Sequence, residues 1–123
     1  MDIKSVSGVT CYVKNVDETI SFYEKVGFEF KKKEKTRATM YVNWFWVDFI
    51  EEKEAIESKG AGIFIYMSVD NVDNCYQTLN TKGVKTLGEP YTTDAGNKEF
   101  IVQDPDGYNI TFFKRLSNKT FNA

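Results

Sequence analysis

Trp44, Trp46 and Asp48 stand two residues apart in the run Trp44-Phe45-Trp46-Val47-Asp48. On an extended strand alternate side chains share a face, so this spacing sets two indoles and a carboxylate side by side. Indoles stack on planar groups and attract cations. A carboxylate next to them can pair with a positive charge or act as a general base. Tyr12, Phe64, Tyr66, Ser68, Asn109 and Thr111 supply further rings, hydroxyls and an amide from segments of the same alternating kind. The competing reading of the tryptophans is core filling or a subunit interface, where Trp is enriched. For Asp48 it is hydrogen bonding to nearby hydroxyls.

What the chain lacks narrows the chemistry further. Its 123 residues include no histidine. That removes His-based triads, His general bases and every His-containing metal site. No hydroxyl has a neighbouring base to activate it, so nucleophilic catalysis has no support. Cys11 and Cys75 form neither a CxxC nor a disulfide framework; both read as small buried hydrophobes. The expected location is a reducing cytoplasm. The start of the chain lacks the apolar run of a signal peptide, and no stretch approaches the ~18 apolar residues of a membrane span. Lys and Arg number 16 against 18 Asp and Glu, for a net charge of −2. Without a basic stripe no nucleic-acid partner is expected. The cluster Lys31 to Lys35, interrupted by Glu34, reads as a solvated strand end. Hydrophobic residues at 41% and charged residues at 28% indicate a folded globular chain. Its length suits one domain, or two small repeats sharing a core.

The elements that carry these side chains come as a repeat. Val13-Lys14-Asn15-Val16-Asp17 recurs as Val69-Asp70-Asn71-Val72-Asp73, an offset of 56 residues that also carries Gly27 onto Gly83 and Val9 onto Ile65. In the first half Val9, Cys11 and Val13 alternate as in a strand. Asn15 then reads as a helix N-cap with Glu18 as its capping-box partner, and Val16, Ile20, Tyr23 and Val26 follow at helical spacing. Gly27 suits the left-handed residue that ends a helix. In the second half Ile63, Ile65, Met67 and Val69 alternate, Asn71 caps, Val72, Cys75, Tyr76 and Leu79 form the stripe, and Gly83 closes it. Three strand signals follow each helix: 28–33, 37–43 and 44–51 in the first half, 84–90, 99–103 and 108–114 in the second. Asp104-Pro105-Asp106-Gly107 is a tight turn. The spacing predicts two βαβββ modules over residues 5–51 and 61–116, a charged linker over 52–60 with a short helical turn, and a loose polar tail over 117–123.

Val13-x-x-Val16-Asp17 running into Ile20-Ser21-Phe22-Tyr23 and Gly27-Phe28, with the closing Asp104-Pro105-Asp106-Gly107 and Ile110, resembles the vicinal oxygen chelate superfamily. That superfamily holds glyoxalase I, extradiol dioxygenases, fosfomycin-resistance enzymes and bleomycin-binding proteins. The resemblance implies an α+β fold in which two βαβββ modules curl mixed sheets around a cavity, and a homodimer. The family's metal enzymes use four side chains, one from each first and last strand of the modules. Those positions fall here at Gly8, Asp48, Phe64 and Thr111, of which only Asp48 is a plausible ligand. One carboxylate does not hold a divalent ion against water. The resemblance therefore implies a member with no metal and no other cofactor.

Strand parity then defines the expected cavity face. It carries Gly8, Thr10 and Tyr12; Trp44, Trp46, Asp48 and Ile50; Phe64, Tyr66 and Ser68; and Asn109, Thr111 and Phe113. The opposite faces are almost purely apolar, as expected beneath the helices. A mixed aromatic and polar face is how small-molecule pockets are lined. The expected ligand residues are Tyr12, Trp44, Trp46, Asp48, Phe64, Tyr66, Ser68, Asn109 and Thr111. The expected function is a metal-free binder of the bleomycin-resistance type, sequestering a planar aromatic or cationic compound with Asp48 selecting the positive charge. The alternative is a lyase or isomerase that works without the usual metal, with Asp48 as its base. The fold itself decides between neither.

Overall fold

The computed structural model describes residues 1–2, 4–53 and 64–116. The expected linker turn, the start of the second module at 61–63 with Ile63, and the tail at 117–123 lie outside the described residues. The chain divides into two compact units, Met1–Lys59 and Gly60–Ala123. Each is a βαβββ module.

The first runs β1 (Gly8–Val13), α1 (Val16–Lys25), β2 (Glu29–Glu34), β3 (Arg37–Val42) and β4 (Phe45–Glu51). Its sheet has the order β1-β4-β3-β2. β1 lies parallel to β4, and the remaining pairs are antiparallel. The helix starts where the sequence predicts: Asn15 is extended (φ −143°, ψ 107°) and its side-chain oxygen accepts from the Glu18 N–H at 2.9 Å. The chain leaves the helix through Gly27 at φ 104°, a conformation that costs glycine no Cβ clash. Thr19, rather than Ile20, takes the deepest position on the inner helix face. It is fully buried because its hydroxyl donates to the Asn15 carbonyl at 3.0 Å. Tyr23 packs against Phe49 and Phe28, with ring centroids 4.6 and 4.9 Å away. Val13, Val16, Met40, Val47 and Phe49 complete the core with Cys11 and Ala38.

The second module runs β5 (Phe64–Ser68), α2 (Val72–Thr81), β6 (Tyr91–Thr92), β7 (Asn97–Gln103) and β8 (Asn109–Arg115), with sheet order β5-β8-β7-β6. The repeat holds down to backbone angles: Asn71 caps α2 with φ −142° and ψ 106°, accepting from the Asn74 N–H at 2.9 Å. Phe100, Val102, Ile110 and Phe112 are buried, and the Phe100 and Phe112 rings stack at 5.3 Å. Ile65 and Met67 are only half-buried, as is Cys75. Cys75 is thus not the fully buried hydrophobe its place on the helical stripe suggests. Asp104 organises the last turn. Its Oδ1 accepts from the Asp106 and Tyr108 N–H groups at 2.8 and 2.9 Å, and Gly107 adopts φ 91°.

Two strand boundaries differ from those expected. Residues 84–90 form no strand; a single bridge joins Thr86 to Val102, and the short β6 follows. Gly88 sits at φ 94° and Pro90 has no N–H to give a ladder. Trp44 leaves the strand expected to start with it. It forms a tight turn with Asn43 (φ 52°), and Val42 pairs with Phe45 across it.

Candidate functional site

The first module's sheet face is organised in cross-strand rows. Gly8 pairs with Trp46, and Trp46 with Tyr41. Thr10 pairs with Asp48, Asp48 with Thr39, and Thr39 with Lys32. Tyr12 pairs with Ile50, Ile50 with Arg37, and Arg37 with Glu34. Because paired residues point to the same side, Asp48 stands directly beside Thr39 and diagonally from Arg37. Lys31, Lys32, Thr39, Trp46 and Asp48 line an open concavity of about 190 Å³.

Gly8 has a role here that its place at a lost ligand position did not suggest. A Cβ on Gly8 would lie 2.3 Å from the Trp46 ring. The missing side chain is the room in which the indole lies. Trp46 is 38% exposed, so the ring is seated yet presents a surface to the concavity.

Asp48 is nearly buried and is not an unpaired carboxylate. Its Oδ2 accepts from the Arg37 guanidinium and its Oδ1 from the Thr39 hydroxyl. Burial pushes its carboxyl up, but the Thr39 and Arg37 hydrogen bonds and the charges of Arg37 and Lys32 outweigh that and hold it below its usual range. Asp48 thus bonds a nearby hydroxyl, as its competing reading expects, and an arginine that the sequence did not point to. Its charge is met within the chain, because the hairpin register brings Arg37 alongside. Lys31 and Lys32 are exposed, as their reading as part of a solvated strand end expects. The register shifts between Phe30 and Lys32, a bulge that breaks alternation, and both lysines line the concavity.

The depressed Asp48 carboxyl has a pH consequence. Its ionised form is stabilised by folding, so its contribution is complete above the unfolded value of about 3.9 and is lost as pH falls through the folded value. The stability gap between the natural chain and Asp48→Asn is expected to be full at neutral pH and to shrink below about pH 4. Urea midpoints at a series of pH values check this. A gap that stays constant into strong acid would show that the carboxylate is not held by these partners.

The expected ligand residues divide between the modules. In the first, Trp46 and Asp48 meet in the concavity. Tyr12 shares their sheet face without lining it, and Trp44 lies on the turn, 70% exposed, away from the lining. In the second, Phe64 pairs with Asn109 and Tyr66 with Thr111, while Ser68 pairs with Phe113. Phe64 and Tyr66 are exposed, and Tyr66 packs edge-on against Phe113 at 5.7 Å. The Asn109 Oδ1 accepts from Gln103 at 3.1 Å. The Thr111 hydroxyl is buried with no hydrogen-bond partner among the described residues. Arg37, Thr39, Lys31 and Lys32 escaped the sequence reading. The signal that finds the first two is the hairpin register, once Asn43-Trp44 is seen as a two-residue turn.

The donors at the family's metal positions do not fit a divalent ion. In the first module the Gly8 position is filled by an indole, and both oxygens of Asp48 are engaged. In the second, Phe64 has no donor atom and Thr111 offers a neutral hydroxyl. Among the described residues no group of three or more His, Cys, Asp or Glu side chains could hold a metal.

A pair of βαβββ modules with a mixed aromatic and polar sheet face defines the glyoxalase-like class of fold. Residues 5–112 match the Glyoxalase/Bleomycin resistance protein/Dioxygenase superfamily, and the chain belongs to that superfamily. Among curated proteins it is similar to the metallothiol transferase FosB of Lysinibacillus sphaericus, 28% identical over 118 residues, covering 91% of this chain and 83% of that protein. The fold also matches a glyoxalase/bleomycin resistance protein/dioxygenase from Nocardioides, with TM-score 0.83 and 12% identity over 100% of this chain and 91% of that one. An integron cassette protein from Vibrio cholerae has TM-score 0.72 and 21% identity, covering 92% of this chain and 96% of its own. Among the described residues no helix is long and apolar enough to cross a membrane.

Proposed function

We propose that the protein is a metal-free binder of small planar molecules, acting as a homodimer in a reducing cytoplasm. The observation that carries the reading is the Trp46 indole seated over Gly8, beside a carboxylate already tied to Arg37 and Thr39. This is a preorganised stacking surface with satisfied polar neighbours. Its volume, about 190 Å³, is nearer to a cavity of ~150 Å³ that holds benzene than to the ~300–1,000 Å³ of drug-sized pockets. One or two fused rings match that space. On the second module's own sheet face Phe64 and Tyr66 are exposed rings, which supports a second stacking surface there.

Asp48 is poorly placed to be the base of a metal-free lyase or isomerase. A carboxyl held below its usual range is a weak proton acceptor at neutral pH. The exposed aromatics Tyr12 and Trp44 support a dimer, since such surfaces gain from a cover. The two free cysteines accord with a reducing compartment.

Stacking contacts of this kind support about micromolar affinity. Neutral 2-naphthamide is therefore expected to bind by calorimetry, and Trp46→Ala to weaken it about tenfold with the fold kept. Equal affinity in the variant would remove Trp46 from the site. Native mass spectrometry is expected to show a dimer without stoichiometric divalent metal. Tight one-to-one zinc, nickel, manganese or iron would defeat the metal-free reading, and a monomer at tens of micromolar would defeat the dimer.

A further inference from the structure

We infer that the first module's concavity selects planar molecules bearing an anionic group, a carboxylate or a phosphate, held by Lys31 and Lys32 while the ring stacks on Trp46. The inference rests on the reading of this concavity as a small-molecule site and specifies the ligand's charge.

The charges that face the concavity decide its sign. Its ionisable lining is Lys31, Lys32 and Asp48. Asp48 presents no uncompensated charge, since Arg37 is bonded to one oxygen and Thr39 to the other. Two ammonium groups remain, Lys31 and Lys32, the latter acting in part on Asp48. Glu34 and Glu29 stand on the flanking rows, opposite Arg37 and Tyr41, and neither lines the concavity. Glu34 acts on Arg37, where its charge is partly spent.

The geometry adds to the charge. An unbroken strand would turn Lys31 to the opposite face from Lys32. The shift in register after Phe30 brings both to the same hollow. β2 is the edge of its sheet and exposed throughout, so each ammonium keeps its three donors accessible. Lys33, by contrast, is paired with Asp17 at 3.4 Å. The Arg37 side chain is 48% exposed while bonded to Asp48, which presents a fixed guanidinium edge beside the site. A ring on Trp46 with an anionic substituent towards Lys31 and Lys32 satisfies the stacking surface and the two cations together. A cationic substituent in that place meets like charge.

The test is a calorimetric series that shares one ring: 2-naphthoate, 2-naphthyl phosphate, neutral 2-naphthamide and 2-naphthylmethylammonium. Both anions are expected to bind at least about tenfold tighter than the amide, and the ammonium weaker than the amide. The tighter of the two anions identifies the preferred headgroup. Lys32→Gln and Lys31→Gln, on an exposed edge strand, are expected to cut anion affinity several-fold, a clearly larger loss than the amide shows. Raising salt should weaken the anions alone. Ammonium binding as tight as the anions, or lysine variants that leave the anions untouched, would overturn the charge selection while the amide still reports a working site. Failure of all four probes to bind would overturn the binding reading itself, and this inference with it.

Discussion

Phe49→Ala is expected to destabilise the first module by about 3–5 kcal/mol, the usual cost of truncating a buried phenylalanine. Phe49 has no exposed surface and lies 4.6 Å from the Tyr23 ring of α1. Its strand neighbours are Cys11 and Ala38, both small, which is what makes room for the ring. Removing it leaves a void that those small residues cannot fill, and α1 loses its main anchor. The same strand carries Trp46 and Asp48 on its other face, so site and core are two sides of β4. Denaturant titration is the measurement: the midpoint should fall steeply with Phe49→Ala and clearly less with Phe49→Leu, which leaves a smaller cavity. A loss below about 1 kcal/mol for the alanine variant would mean that this core is not packed as described.

The second large effect is predicted at a residue with no side chain. Gly8→Ala should abolish the stacking site as effectively as Trp46→Ala, with the tryptophan still in the sequence. The new methyl would lie 2.3 Å from the indole, far inside van der Waals contact, so the ring must leave. The ring is partly exposed and can swing outward, so the fold should survive. With Trp44 replaced by phenylalanine, Trp46 is the sole indole, and its emission should shift to the red when Gly8→Ala expels it. Affinity for 2-naphthamide should drop about tenfold at the same time. Unchanged emission and affinity would show that the indole is not seated over Gly8. The same contact gives Gly8→His a definite outcome. Restoring a histidine at the family's position displaces Trp46, and Asp48 stays engaged with Arg37 and Thr39, so no metal centre follows.

The Gly8 and Arg37 cases show where sequence reading succeeds and where it stops. The caps, the glycine exits and the last turn were legible. The offset of 56 residues predicts two equivalent caps, and Asn15 and Asn71 take backbone angles within one degree of each other. Capping, glycine exits and the Asp104 turn depend on neighbours a few residues apart, so the order of residues specifies them. Strand parity placed Trp46 and Asp48 on one face, because the period of two is a property of any strand. Parity overreached at Trp44, where Asn43 takes the left-handed turn and ends the alternation.

Pairing between strands was decided only by the tertiary structure. Asp48 read as a lone acid because its partners, Arg37 and Thr39, lie on another strand and meet it through hairpin register. That Lys31 and Lys32 share one hollow was hidden because alternation cannot reveal a bulge. Gly8 read as an absence because only packing shows what occupies its space. The sequence by itself therefore determined the superfamily fold, the repeat and the mixed aromatic and polar make-up of the sheet face. Tertiary structure decided the sign of its charge, since a carboxylate's effect depends on which cation the fold sets beside it.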